Sequence, residues 1–334
     1  MTTPIASSAR LAHLPAAFFA TVMGLAGLTI AWEKGQQVLD LDLGLSPWLI
    51  GASTALFTLL LVLYIAKLIL YRPAVLAELR HPVRLSFMPT ISISLLLLAV
   101  AFQPLAPTVS LVLWLVGTPM QLAFTLYIVG VWIQHEHFQV QHLNPAWFIP
   151  AVGNALVPIA GVPLGQVEVS WFFFSVGMML WSVLVTIVFY RVLFHDPLEE
   201  RLLPTLFILI APPAVGFIAY LRLTDTLDVF AQALYFAGLF LTLLLFSQGG
   251  RFLRLGFFLT WWAYSFPLAA VSIASMVMYE QTGTGVYRYI GVGLLTMLTG
   301  IITLLVAATL VAVWERRICI EEPAPRMAPA GGEQ

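Results

Sequence analysis

The chain has 334 residues, 60% of them hydrophobic and 9% charged, with a mean hydropathy of +0.95. A soluble domain carries about 25% charged residues, so a water-soluble globule is excluded. The formal charge of −1 gives no footing for nucleic acid or for electrostatic capture of acidic partners, and the single Cys319 excludes an internal disulfide and a cysteine-built zinc or iron–sulfur site.

Gaps between charged residues predict the helices in chain order. The first lies in 14–32, read as a membrane helix because no small-residue cleavage site is evident before Glu33. Residues 43–66 hold the second. The interval 85–134 has no Asp, Glu, Lys, Arg or His and is about twice one span; Gln103-Pro104-Leu105-Ala106-Pro107-Thr108 divides it into the third and fourth. The remaining windows are 147–165, 171–194, 204–221, 229–247, 256–279 and 289–314. Ten spans place both ends of the chain on one side. Twelve basic residues fall on that side, including Arg10, Lys67, Arg72, Arg80, Arg84 and Arg191, against Lys34, Arg222 and Arg288 on the other. By the positive-inside rule both termini are cytoplasmic. The expected organisation is a cytoplasmic N-terminus (1–13), a ten-helix membrane domain (14–314) and a cytoplasmic tail (315–334) whose Pro- and Gly-rich end is disordered.

Prolines are unevenly distributed over these spans. Pro89, Pro150, Pro158, Pro212, Pro213 and Pro267 fall in odd-numbered helices; the even ones have Pro47 at the start of the second, and Pro119, near the beginning of the fourth, breaks the pattern. Pro158, Pro212 and Pro267 are 54 and 55 residues apart, as in a helical hairpin repeated along the chain. Proline removes a backbone donor and frees a carbonyl, which lipid tolerates only where protein or a water-lined cavity satisfies it. Five kinked inner helices and five straighter outer ones follow, although proline is also simply common in membrane helices. In the ninth span Trp261-Trp262-Ala263-Tyr264-Ser265-Phe266-Pro267 sets a large aromatic beside such a kink, where it can plug a cavity.

Four segments resemble the tellurite-resistance/dicarboxylate transporter family, which includes bacterial TehA proteins and the plant guard-cell slow anion channel. They are Phe87-Met88-Pro89-Thr90-Ile91-Ser92-Ile93-Ser94, Pro150-Ala151-Val152-Gly153-Asn154, Pro204-Thr205-Leu206-Phe207 with Ala211-Pro212-Pro213, and the ninth-span stretch quoted above. The resemblance implies an all-α polytopic membrane protein of five helical hairpins around a central pore, in a homotrimer with one pore per subunit. It implies that Phe266 is the occluding gate. It also aligns Phe19-Ala20 with the family's Phe and small residue facing that gate, Ala20 standing where a close bacterial relative has Gly. The first helix departs from the family in having Val22 and no central proline, with Gly24 nearby.

No ionisable residue falls in the middle of any predicted span, which argues against a carboxylate proton relay and for a passive, uncharged conduit. The expected pore lining is Phe19, Ala20, Pro89, Thr90, Asn154, Pro158, Pro212, Ser265 and Pro267, with hydroxyls of Thr21 and Ser92 and backbone dipoles also available to a partly dehydrated anion. Asn154 reads equally as pore-lining or as a helix–helix hydrogen bond. The loop from Arg72 to Arg84 reads most simply as a topology signal; contact with anionic lipid, or concentration of anions at the mouth, is the alternative. His135-Glu136-His137, with His142, has the look of a metal pair but reads better as a solvated loop, so no metal and no cofactor is expected. The functional reading is a gated channel for small monovalent anions such as chloride or nitrate. The rival is a secondary transporter of dicarboxylate, sulfite or tellurite-type oxyanions. A membrane-embedded enzyme would need an acid–base cluster, for which only 135–142 comes near.

Overall fold

The computed structural model describes residues 7–134, 139–252 and 254–319. His135, Glu136 and His137 lie outside the described residues, as does the tail from 320 onward. Among the described residues all regular structure is helical, and nine helical segments are long and apolar enough to cross a membrane. They are α1 (Ala16–Leu39), α2 (Ser46–Leu70), α3 (Arg84–Phe102), α4 (Pro107–Gln134), α6 (Val167–Phe194), α7 (Glu200–Thr224), α8 (Val229–Ser247), α9 (Leu259–Thr282) and α10 (Gly285–Trp314). A shorter apolar segment, α5 (Pro145–Gly161), takes the fifth place. A further short helix, Arg72–Arg80, follows α2.

The odd and even segments are built differently. Each even segment is one continuous α-helix, and Pro119 sits inside α4 without interrupting it. Every odd segment contains a 3₁₀ stretch: Ala16–Phe18, Arg84–Phe87, Pro145–Trp147 with Gly153–Leu156, Glu200–Ile210 and Leu259–Tyr264. The prolines therefore do not kink the middle of an α-helix, as the sequence suggested. Pro158, Pro212 and Pro267 stand in the first turn of the α-helices that begin at Val157, Ala211 and Ser265, and Pro89 immediately precedes the one that begins at Thr90. There the missing N–H is one that has no intrahelical acceptor anyway.

The carbonyls freed at these junctions are taken up locally. Thr21 donates to the Phe18 carbonyl at 2.7 Å, Thr90 to Phe87 at 2.7 Å, Ser92 to Pro89 at 2.9 Å, Thr205 to Leu202 at 2.5 Å and Ser265 to Trp262 at 2.6 Å. Each bond reaches back three residues, and each hydroxyl is buried. Short polar side chains thus satisfy the backbone in a place without water.

Packing separates the two sets. α1 touches α3, α3 touches α5, α5 touches α7, α7 touches α9, and α9 returns to α1. The even segments pack outside this closed cycle: α2 on α1 and α3, α4 on α3, α6 on α5, α8 on α7, α10 on α9 and α1. Of the most apolar stretch of α7, 94% is buried, against 28% in α10. An outer helix left so apolar and so exposed needs a non-aqueous surround.

Candidate functional site

The cycle of odd segments encloses a cavity of about 260 Å³. Its lining recurs every three or four residues, one helical face per segment: Gly27, Ile30, Lys34 and Gln37 of α1; Val215, Ile218, Arg222 and Asp225 at the end of α7; Phe266, Ala270, Ile273, Val277 and Gln281 of α9. Leu97, Val100 and Gln103 come from the α3 side, and Leu156 and Ile159 from α5. The residues nearest the N-terminal end of each face are Gly27, Leu97, Leu156, Val215 and Phe266, one from each inner segment. The opposite end carries Glu33, Lys34, Arg222, Asp225 and Glu280. From Phe266 to Glu280 the α-helix rises about 21 Å. The cavity is therefore a funnel with a charged mouth, an apolar throat and Phe266 at its deep end.

Close approach of α1 to α9 shapes that deep end. A Cβ on Gly24 would lie 2.4 Å from Ser265 Oγ and 2.9 Å from Trp262 Cε3; one on Gly27 would lie 3.5 Å from Phe266 Cδ2. Two glycines one helical turn apart therefore let the backbone of α1 lie directly against the turn that carries Phe266. Phe266 itself is only partly buried, whereas Ser265 and Pro267 beside it are buried.

The expected pore-lining residues divide into two groups. Phe266 faces the cavity, and Ala20 keeps partial exposure beside the buried Phe19 and Thr21. The others are turned into the protein. Phe19 packs its ring edge-on against Phe57 at 5.8 Å and Tyr64 at 6.0 Å, both on α2. The Thr90 hydroxyl, whose one proton is shared with the Phe87 carbonyl, also lies 2.9 Å from the Ala16 carbonyl, joining α3 to α1. Asn154 donates to the carbonyls of Pro150 at 3.0 Å and Ala151 at 2.9 Å and to Thr125 Oγ1 at 3.0 Å, so of its two readings the helix–helix hydrogen bond is the one its contacts match. Pro89, Pro158, Pro212, Ser265 and Pro267 are all buried and absent from the cavity wall. The physical reason is common to them: polar groups and prolines at a helix break serve the backbone, which leaves the cavity to aliphatic side chains.

The charged mouth is what the sequence reading missed. In the sequence Glu33 and Lys34 close the first charge-free window, yet α1 continues to Leu39 and carries them onto the cavity wall. Lys34 Nζ lies 2.5 Å from Glu280 Oε2 on α9. Glu33 accepts hydrogen bonds from Ser46 Oγ and, at 3.2 Å, from Gln37 Nε2. The i, i+4, i+7 spacing of Ile30, Lys34 and Gln37 was the available signal.

The model of the voltage-dependent anion channel family (SLAC1) matches residues 13–310, spanning every inner segment. The chain belongs to that family. It is 27% identical over 310 residues to an uncharacterized transporter of Methanocaldococcus jannaschii, covering 86% of this chain and 91% of the relative. It is 28% identical over 299 residues to the tellurite resistance protein TehA homolog of Haemophilus influenzae, covering 86% and 90%. To the S-type anion channel SLAH2 of Arabidopsis thaliana it is 29% identical over 308 residues, 90% of this chain but 58% of that longer protein. The family and the nine long apolar helices make this a multi-span membrane protein.

Proposed function

We propose that the protein is a gated, passive anion channel in a cell membrane, with both termini cytoplasmic. In this reading all ten segments cross the bilayer as five hairpins between residues 14 and 314, the short α5 included, and the inner cycle of each subunit of a homotrimer is one pore. The observation that carries it is the funnel walled by all five inner segments and ending on the ring of Phe266. An apolar constriction of that kind excludes water and ions until the ring turns aside. The edge of an aromatic ring is weakly positive and does not repel an anion. The names of the relatives as anion channels favour small monovalent anions such as chloride and nitrate over the oxyanions of a coupled carrier.

The test is current through Phe266→Ala in bilayers or oocytes. A channel gives a large anion-selective current whose reversal potential follows the chloride gradient. Silence, or equal conduction of cations, overturns the reading. A coupled carrier instead loses substrate-dependent flux in the same variant.

A further inference from the structure

The mouth of the funnel is an odd entrance for an anion. Its wall presents three carboxylates, Glu33, Asp225 and Glu280, to two cations, Lys34 and Arg222. Lys34 is neutralised by Glu280 at 2.5 Å, with side-chain exposures of 20% and 38%. Arg222 and Asp225 have no ion-pair partner among the described residues. The throat beyond, from Ile30, Val215 and Ile273 down to Phe266, offers no charge to offset this. The net sign at the entrance is thus negative, against the ion that the deeper site is proposed to pass.

We propose that Glu280 is an electrostatic brake on anion entry: by holding Lys34 it keeps the mouth net negative and sets both the unitary conductance and its salt dependence. This rests on the channel reading above. An anion in the mouth passes within a few ångströms of this pair. One unit of charge at about 7 Å in water changes the local concentration of a monovalent ion by about threefold. The Debye length is about 30 Å at 0.01 M salt but about 3 Å at 1 M, so the brake acts at low salt and vanishes at high salt.

A purely mechanical role has a different signature. The pair also ties α1 to α9 above the gate, and either partner's loss would loosen that tie equally. Charge neutralisation at Glu280 and at Lys34 must instead act in opposite directions.

The experiment measures unitary chloride conductance of the Phe266→Ala channel alone and with Glu280→Gln or Lys34→Gln added. Unitary conductance counts only folded, open channels, and the gate is already removed. At 10 mM chloride, Glu280→Gln is expected to raise the conductance about two- to threefold and Lys34→Gln to lower it by a similar factor. The change belongs to current carried by anions entering through this mouth, and both differences disappear at 1 M. Shifts in the same direction, no shift at low salt, or shifts that persist at 1 M overturn the brake while leaving the channel reading intact. A Phe266→Ala protein that passes no anion overturns the channel reading itself, and the brake with it.

Discussion

The two ends of α1 are each tied by a lysine and a glutamate, and the two ties are of different kinds. At the N-terminal end Lys67 Nζ lies 2.7 Å from Glu78 Oε2, with both residues no more than 3% exposed. Every strong group there is used: Glu78 Oε1 accepts the Ala16 N–H at 2.7 Å, Tyr64 donates to Glu78 Oε2 at 3.0 Å, and Lys67 donates to the Leu14 carbonyl at 2.8 Å. At the C-terminal end the Lys34–Glu280 pair is partly open and faces the cavity. The same two residue types thus make a buried clamp in one place and an adjustable surface charge in the other. Burial and the number of satisfied hydrogen bonds decide which, since a buried ion left alone must bear its full desolvation.

The largest predicted effect breaks the clamp. Glu78→Ala strands a buried ammonium and unpairs the first N–H of α1, and should destabilise the protein by about 3–5 kcal/mol. Chemical unfolding of the purified protein in detergent measures it. Replacing both partners with apolar residues of similar size, Lys67→Met with Glu78→Leu, should recover much of that loss, because neither charge is then buried. If Glu78→Ala were as harmless as Lys34→Gln, whose expected cost is about 0–1 kcal/mol, the distinction between the two ends would fall.

A mid-sized effect lies between them, where α1 meets α9. Gly24→Ala places a methyl 2.4 Å from Ser265 Oγ and 2.9 Å from Ser265 Cβ, so the two segments must part. Overpacking of this kind costs about 1–3 kcal/mol. Because Ser265 precedes Phe266, the same displacement should unseat the ring and raise basal anion flux into proteoliposomes. Gly24→Ala combined with Ser265→Gly removes the contacts to Ser265 but leaves the methyl 2.9 Å from Trp262 Cε3, and should restore stability and closure only in part. Gly27→Ala meets Ala269 Cβ at 3.1 Å, the Phe266 ring edge at 3.5 Å and Phe266 Cα at 3.8 Å, and should be the milder of the two.

These positions show which parts of the molecule were legible in the chain. Charge-free stretches located the apolar segments because burial in lipid or protein selects composition over roughly 20 residues. They also set α1 too short, at 32, because a charge was read as an end; Glu33 and Lys34 are helical and partly exposed on the cavity side. The prolines concentrate in the segments that contain 3₁₀ stretches, with Pro119 inside the continuous α4. Their role was misread, since a proline in the first turn of an α-helix looks the same in sequence as one in its middle. Phe266 drew notice from its place beside Pro267 and from family likeness, and it lines the cavity. Gly24 and Gly27 as the seat of that ring were not, because their meaning is a distance to another segment. Nor was the clamp, since Lys67 and Glu78 sit in a stretch whose basic residues already had an explanation as a topology signal. Thr90, Ser92, Ser265 and Asn154 were polar for a reason that only the hydrogen bonds disclose.

The smallest predicted effect extends the comparison to a carboxylate with no lysine at all. Asp228 caps α8, its Oδ1 accepting the Ala231 N–H at 2.9 Å and its Oδ2 accepting the Tyr220 hydroxyl at 2.6 Å. These donors, the Tyr220 hydroxyl foremost, hold its pKa below the ordinary carboxylate value of 3.8. A depressed folded pKa means that the stabilisation is complete above the unfolded value and is lost as pH falls through the folded one. Wild-type protein should therefore lose stability below about pH 4 by a component that Asp228→Asn lacks, since the amide keeps an oxygen for the cap but cannot titrate. Unfolding midpoints of the two proteins between pH 6 and pH 3 should draw together as pH falls. Parallel curves would mean that the Tyr220 and Ala231 bonds do not distinguish carboxylate from carboxylic acid.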